Sequence, residues 1–353
     1  MPFSHSNIKR VNLEITSRCN ASCPMCARNI QGGPVIPDLS LTELRLQDVQ
    51  QIMPPEFVTK LDFLWICGTT GEPCIGTDTI PVFRYLREHN DRMELAMHTN
   101  ASARKTEWWS ELGSILSRQG DWVKFGIDGL EDTNHIYRRG TQWDKVMENA
   151  EAFISAGGRA VWQFIVFRHN EHQIEEARAL SQRMGFTRFF VLRSGRWGRN
   201  GKTGLQVQDR DGNYEYTIYP PSDPEKQHPS AAKRQAIIDS YGSWDKFLDG
   251  VRITCMAQRD REMYVDHTGL IFPCCHLAGE VHRPMLREQL HHMLDGDWSN
   301  INALVHPLRD ILEGQYYQRI EDSWGRASVA NGRLKKCAQE CNHDVAWDDV
   351  EGR

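Results

Sequence analysis

VNLEITSRCNASCPMC, residues 11–26, decides how the rest of the chain is read. Its first six residues are short, alternating and partly β-branched, so 11–16 reads as a strand. Cys19, Cys23 and Cys26 follow within eight positions. A cubic iron–sulfur cluster or a zinc site normally takes four protein ligands. Three thiols on one short loop leave a coordination position open, as catalytic metal sites do.

Outward from this loop, short β-rich runs alternate with helical ones. The further strands are expected at 60–67, 93–99, 122–128, 159–167 and 188–193. Helical patterns fill 40–53, 141–158 and 170–185. In the first, Ser40 followed by Glu43 reads as a capping box; the other two end on glycine. Six strand–helix alternations imply an α/β fold, a partial (β/α)6 barrel of parallel strands over 1–193. Active sites of such sheets lie at the C-terminal strand ends, where the cysteine loop falls. Residues 194–230, rich in Gly, Pro and charge, read as an irregular connection with a short hairpin near Asp211-Gly212. Arg196, Trp197, Arg199 and Lys202 there would suit a phosphate, a carboxylate or a base. Residues 231–353 form a smaller C-terminal cysteine-rich region of hairpin plus helix. Its hairpin, EMYVDHTGLIFPCC (262–275), turns at His267-Thr268-Gly269.

The bulk properties narrow the field. The 353 residues are 40% hydrophobic and 25% charged, with a net charge of −5, which is small for the length. Neither a nucleic-acid partner nor a membrane surface is expected. The polar start lacks a signal peptide, and no run approaches the ~20 apolar residues of a membrane span. A cytoplasmic location is expected, and there the ten cysteines are ligands or free thiols rather than disulfides. Cys67 and Cys74 read as packing and loop residues.

The Cys-x3-Cys-x2-Cys spacing after a first strand resembles the radical S-adenosylmethionine (SAM) superfamily. The resemblance implies a [4Fe–4S] cluster on Cys19, Cys23 and Cys26, with SAM chelating the open iron. Reductive cleavage of SAM would then give a 5′-deoxyadenosyl radical that takes hydrogen from a substrate. Met25 departs from the family's aromatic at that position. CGTTGEP (67–73) resembles the family's Gly-Gly-Glu-Pro segment, which implicates Gly71, Glu72 and Pro73 in holding SAM, with Glu72 accepting from its ammonium group. HTNAS (98–102) resembles a Thr-Asn segment near the cofactor, which implicates Thr99 and Asn100. FGIDGLEDTNHIYRRG (125–140) resembles a Ser-Ile-Asp-Gly segment; it implicates Asp128, and Arg138 for the SAM carboxylate, with Arg139 adjacent. Gly126 stands where a serine is common.

Cys255, Gly269 and Cys274, followed by Cys337 and Cys341, resemble the SPASM/Twitch extension in its single-cluster form. Four thiols suffice for a second, auxiliary [4Fe–4S] cluster; zinc is the alternative. Cys275 is left over. A thiol there could return hydrogen to a substrate radical, or simply be buried. The expected function is oxidative modification, crosslinking or epimerisation of a peptide or protein residue. A polar small molecule is the alternative substrate, and a non-catalytic iron–sulfur carrier or scaffold the alternative role. The first strand starts near residue 11, so a peptide would dock on the second region or come with a separate recognition protein. A flavodoxin or ferredoxin would donate the electron.

Overall fold

A computed structural model describes residues 2–197, 204–279, 281 and 284–342. Its centre is an eight-stranded sheet. Strands β1 (Arg10–Leu13), β2 (Phe63–Ile66), β3 (Glu94–Thr99), β4 (Trp122–Gly126), β5 (Ala160–Val166) and β6 (Arg188–Arg193) run parallel in sequence order. This is the partial barrel read from the alternation of elements. All six strands fall where the sequence places them, shortened by a residue or more at most ends.

The two faces of the strands differ. Outward residues such as Leu64, Ile66, Leu95, Met97, Val123, Phe125, Trp162 and Phe164 are fully buried under helices. Each such side chain contributes about 1.5–3 kcal/mol by leaving water. Inward residues such as Trp65, Cys67, His98, Trp122, Lys124, Gln163 and Phe190 are only partly buried. The sheet is therefore closed on its helical side and open on its concave side. Helix Trp143–Ser155 turns Val146, Ala150 and Phe153 to the sheet, and helix Ile174–Met184 stops at Gly185, whose φ of +87° is the left-handed cap.

The capping box at Ser40 does not form. The helix begins at Leu46, and it is the Asp48 carboxylate that accepts from the Arg45 amide at 2.7 Å. Residues 40–44 instead run extended beside the cysteine loop: Ser17 N–H donates to Thr42 O at 3.0 Å and Leu44 N–H to Ile15 O at 2.8 Å. The backbone groups behind β1 need partners, and this segment supplies them.

The 262–275 hairpin forms as expected, with β9 (Glu262–Val265) and β10 (Ile271–Phe272). Asp266 accepts from Thr268 and Leu270, and Gly269 takes a φ of +87°. Its place is the surprise: β9 pairs in parallel with β1, so the hairpin extends the barrel's own sheet. The connection after β6 also gains order. Strands β7 (Leu205–Gln208) and β8 (Tyr214–Ile218) form a separate antiparallel hairpin around the Asp211-Gly212 turn. No helix among the described residues is long and apolar enough to cross a membrane.

Candidate active site

The Cys19–Cys26 loop leaves the C-terminal end of β1 and is packed from several sides. Cys23 is buried, and the side chains of Ala21, Tyr137, Phe167, Val207 and Ile218 form a small core with it. Val207 and Ile218 come from β7 and β8, so that hairpin covers the loop. Met25 joins the same core, with Ser194 Oγ 3.6 Å from its sulfur. The Arg196 guanidinium donates to the Met25 carbonyl at 2.9 Å, and Trp197 meets Phe167 edge-on at 5.8 Å. These two residues of the connection thus brace the loop. Arg199 and Lys202 lie outside the described residues.

Asn100 reaches the loop from β3. Its side-chain amide approaches Cys19 Sγ at 3.8 Å and donates to Asn20 Oδ1 at 3.0 Å. Thr99 donates to Glu72 at 2.6 Å, and the Asn100 N–H donates to the other Glu72 oxygen at 2.7 Å. Glu72 also accepts from Cys74 N–H at 3.1 Å. Burial pushes its pKa up while these donors pull it back. Pro73 follows Glu72 as the first residue of a short 3-10 turn and is buried. Gly71 lies so close to the strand that a Cβ would stand 1.6 Å from the Thr16 carbonyl oxygen. Only glycine fits there.

Asp128 and Arg138 form a buried ion pair, Nε to Oδ2 at 2.6 Å, with side-chain exposures of 0% and 16%. The other Asp128 oxygen accepts from Ile165 N–H at 2.5 Å. The Arg138 guanidinium also bonds the Cys23 thiol. Gly126 makes room for it: a Cβ would fall 2.2 Å from Arg138 Nη2. The absent serine is therefore the condition for the arginine's position. Arg139 is committed elsewhere, donating to the Gly32 and Gln208 carbonyls and pairing with Glu215. Of the two guanidinium groups, that of Arg138 is the one at a loop thiol.

Arg138→Ala is expected to cost about 3–5 kcal/mol near neutral pH, because it strands a buried carboxylate. Burial raises the Asp128 pKa and Arg138 pulls it back. Without Arg138 the folded-state pKa climbs further above the unfolded value of about 3.9. The deficit is then small below the unfolded value, where both states hold the proton, and grows as pH rises through the folded value. Urea unfolding at about pH 5 and about pH 8 would read this difference. An equal deficit at both would clear Asp128 of responsibility.

Burial pushes the Cys23 thiol up to about 11 against the pull of Arg138, and raises Cys19 further, with Glu72 and the other loop thiols adding to it. Neutral thiols crowded on one buried loop call for a cationic group to make them thiolates. The donor set, three thiols with no fourth, fits a cluster that keeps one iron open.

The second cysteine set also converges. Cys255 precedes helix Met256–Asp260, Cys274 precedes helix Cys275–Ala278, and Cys337 and Cys341 lie in and just after helix Lys335–Glu340. Thr254 N–H donates to Cys341 O at 2.8 Å, which brings the two ends together. Cys255 and Cys341 share a thiol hydrogen bond, and it holds Cys341 down to about 7 while Cys255 is raised. Burial raises Cys274, with Cys275 and Cys341 adding to it, and Cys337, with Cys274 and Cys341 adding to it. Tyr316 lies by Cys274 and Cys337, and Tyr317 by Cys274 and Cys255. Both hydroxyls are buried and have no hydrogen-bond partner among the described residues. Two orphaned donors beside four thiols fit a group with acceptor sulfurs. Among the described residues no three His, Cys, Asp or Glu side chains are drawn together closely enough to hold a single metal ion.

Cys275 turns the other way. Burial pushes its thiol up to about 12, and the charges that add to this are Cys67, Glu262 and Glu340. It is within electrostatic reach of Cys67, just past β2, and of Glu262, at the start of β9. Cys74 is fully buried in the main core, as a packing residue. Cys67 is more than that: its sulfur lies 3.5 Å from His98 Nδ1 on the open face of the sheet.

Glu14 escaped the sequence reading. One of its oxygens accepts from Thr70 N–H at 2.6 Å, Thr70 Oγ1 at 2.9 Å and Gly71 N–H at 3.1 Å; the other accepts from Tyr264 OH. It ties β1, the Gly-Glu-Pro loop and β9 together. A carboxylate at an alternate, inward position of 11–16 was the available signal. Lys124 in WVKFGID carried the same signal.

Residues 13–180 match the model of the Radical SAM superfamily. That segment is a radical SAM domain. Solved structures agree on the fold. The chain superposes on anSMEcpe with bound AdoMet and Cp18Cys peptide with a TM-score of 0.53 at 14% identity, over 94% of this chain and 88% of that one. For a histidine-tagged form of anSMEcpe with bound AdoMet the values are 0.53 and 15%, over 88% and 79%. SuiB of Streptococcus suis bound to precursor peptide SuiA gives 0.50 at 14% identity, over 77% of this chain. The chain spans about six tenths of the length of the SuiB chains it matches, 60% in that case. Within the radical SAM domain fall Cys19, Cys23, Cys26, Glu72, Asn100, Asp128 and Arg138; Cys255, Cys274, Cys275, Cys337 and Cys341 lie beyond it.

Proposed function

We propose that this protein is a radical SAM enzyme that takes hydrogen from a substrate held at the open face of its barrel. The observation that carries the reading is the three-thiol loop at the strand ends, with Cys23 buried and Cys19 and Cys26 half-buried, touched by Asn100 at Cys19 and by Arg138 at Cys23. A [4Fe–4S] cluster on Cys19, Cys23 and Cys26, with SAM on its open iron, would supply a 5′-deoxyadenosyl radical. Arg138 is oriented by Asp128 and keeps further N–H groups for the SAM carboxylate. Glu72, Thr99 and Asn100 set the facing wall, and Gly71 and Pro73 fix its backbone.

Cys255, Cys274, Cys337 and Cys341 would hold an auxiliary [4Fe–4S] cluster that accepts or relays an electron. That suits a net oxidation, and so an oxidoreductase. A peptide or protein residue is the favoured substrate, because SuiB and anSMEcpe, of the same fold, are seen with peptides bound. Cys275 would return hydrogen if the reaction is an epimerisation. A flavodoxin or ferredoxin would reduce the first cluster.

The test is anaerobic. Reconstituted protein with dithionite and SAM is expected to release 5′-deoxyadenosine. Protein that binds iron and sulfide, yet neither binds nor cleaves SAM, would leave the carrier or scaffold reading instead.

A further inference from the structure

The open face of the sheet carries hydrogen-bond donors that no group among the described residues uses. His98 and Lys124 are register partners on β3 and β4. Cys67 follows Ile66, the partner of Met97, and so stands level with them on β2. Trp65 and Trp122 lie one inward step deeper, each paired with Ala96. The His98 ring stands edge-on to Trp65 at 4.8 Å and tilted to Trp122 at 5.4 Å. The Lys124 ammonium is 5.2 Å from the Trp122 ring centre and 5.0 Å from that of Phe190.

His98 Nε2 and Trp65 Nε1 are both shielded from solvent and have no hydrogen-bond partner, and so is Asn12 Oδ1 on the adjacent strand. Buried polar groups are ordinarily satisfied, so several orphans in one concavity call for an occupant. Their chemistry says which kind. Burial pushes the Cys67 thiol up to about 12, and its sulfur lies 3.5 Å from His98 Nδ1, which can accept its S–H. In that tautomer the imidazole proton is on Nε2, where it can donate to an occupant. The Trp65 indole is a donor only, and the Asn12 amide can turn its NH2 inward. Burial lowers the pKa of Lys124, and no carboxylate stands among the groups that set its charge. Glu14, the carboxylate level with Cys67, is already occupied by Thr70, Gly71 and Tyr264. Aromatic walls exclude water, and a dehydrated ammonium gains most from an anion.

We propose that this concavity binds an anionic group of the substrate, a carboxylate or a phosphate, with Lys124, His98 and Trp65 as its donors. This deepens the reading above and rests on it for the term substrate. The donor set itself stands on the geometry alone.

The experiment follows thermal unfolding of the reconstituted protein in sodium phosphate and in sodium acetate, each against sodium chloride of equal ionic strength. One of the two is expected to raise Tm saturably, by about 2–4 °C. Phosphate alone would mark a phosphate site, and acetate alone a carboxylate site. Lys124→Met and His98→Phe are expected to lose the shift, and the exposed Lys246→Met to keep it. Lys124→Met removes a dehydrated charge and keeps the stem, so it is expected to fold. The exposed Lys246→Met is expected to form 5′-deoxyadenosine at the wild-type rate. No shift in the wild type, or an equal shift in Lys124→Met, would overturn the proposal. So would loss of SAM cleavage in Lys124→Met, which would put Lys124 at the cofactor. A Lys124-dependent shift in a protein that never cleaves SAM would keep the anion site and sink the radical reading.

Discussion

Protein with Cys19, Cys23 and Cys26 changed to Ala is expected to form no 5′-deoxyadenosine and to hold about four irons where the wild type holds about eight. The loop is held by hydrogen bonds of its own. Cys26 N–H donates to Cys23 O at 3.0 Å, Ser22 N–H to Arg139 O at 2.9 Å, and Ala21 N–H to Cys19 Sγ at 3.4 Å. Removing the thiols takes away the ligands and leaves most of these bonds, so the variant is expected to keep its circular dichroism. Iron and sulfide counts after anaerobic reconstitution, with product analysis after dithionite and SAM, decide it. Cleavage surviving in the variant would place the chemistry elsewhere. About four irons in an active wild type would instead remove the auxiliary cluster.

Glu14→Ala is expected to cost about 3–5 kcal/mol and to weaken SAM binding tenfold or more. The loss strands the Thr70 and Gly71 N–H groups inside the sheet end and takes from the Tyr264 hydroxyl one of its two partners. An unsatisfied buried donor costs about 1–3 kcal/mol, more when its partner was charged. The effect on SAM follows from the loop it holds: Gly71 is pressed against Thr16, and Glu72 N–H donates to Arg18 O at 2.9 Å beside Cys19. Glu14→Gln is the control. Its carbonyl can serve Thr70 and Gly71. Its amide can donate to Tyr264, whose hydroxyl can turn to Thr69 Oγ1 at 2.9 Å. Most of the stability is expected to return. Urea unfolding and a SAM titration read both variants, and a wild-type midpoint for Glu14→Ala would end this account of Glu14.

The six parallel strands were legible because their outward residues are buried under helices, and burial leaves its period in the sequence. The Gly185 stop was legible for a local reason, the left-handed conformation. The false capping box at Ser40 shows the limit of local rules. A short motif proposes a helix start, but the bare backbone behind β1 claims the segment for pairing. The glycine at position 126 was legible only as a departure. Its reason, the guanidinium lying over it, comes from a residue twelve positions on.

The sequence alone determined the parallel α/β sheet, the cysteine loop at its C-terminal edge, and the segments that meet there. These follow from chain-local facts: strand period, ligand spacing and turn chemistry. Tertiary structure alone decided that β9 joins the barrel beside β1, that β7 and β8 cover the cysteine loop, and that Glu14 ties three segments together. It also chose Arg138 over Arg139 and set Cys67, His98 and Lys124 side by side on the open face. Each of these is a contact between residues distant in sequence, or a choice between identical neighbours. Burial and pairing in three dimensions settle such cases, and residue type and spacing do not record them.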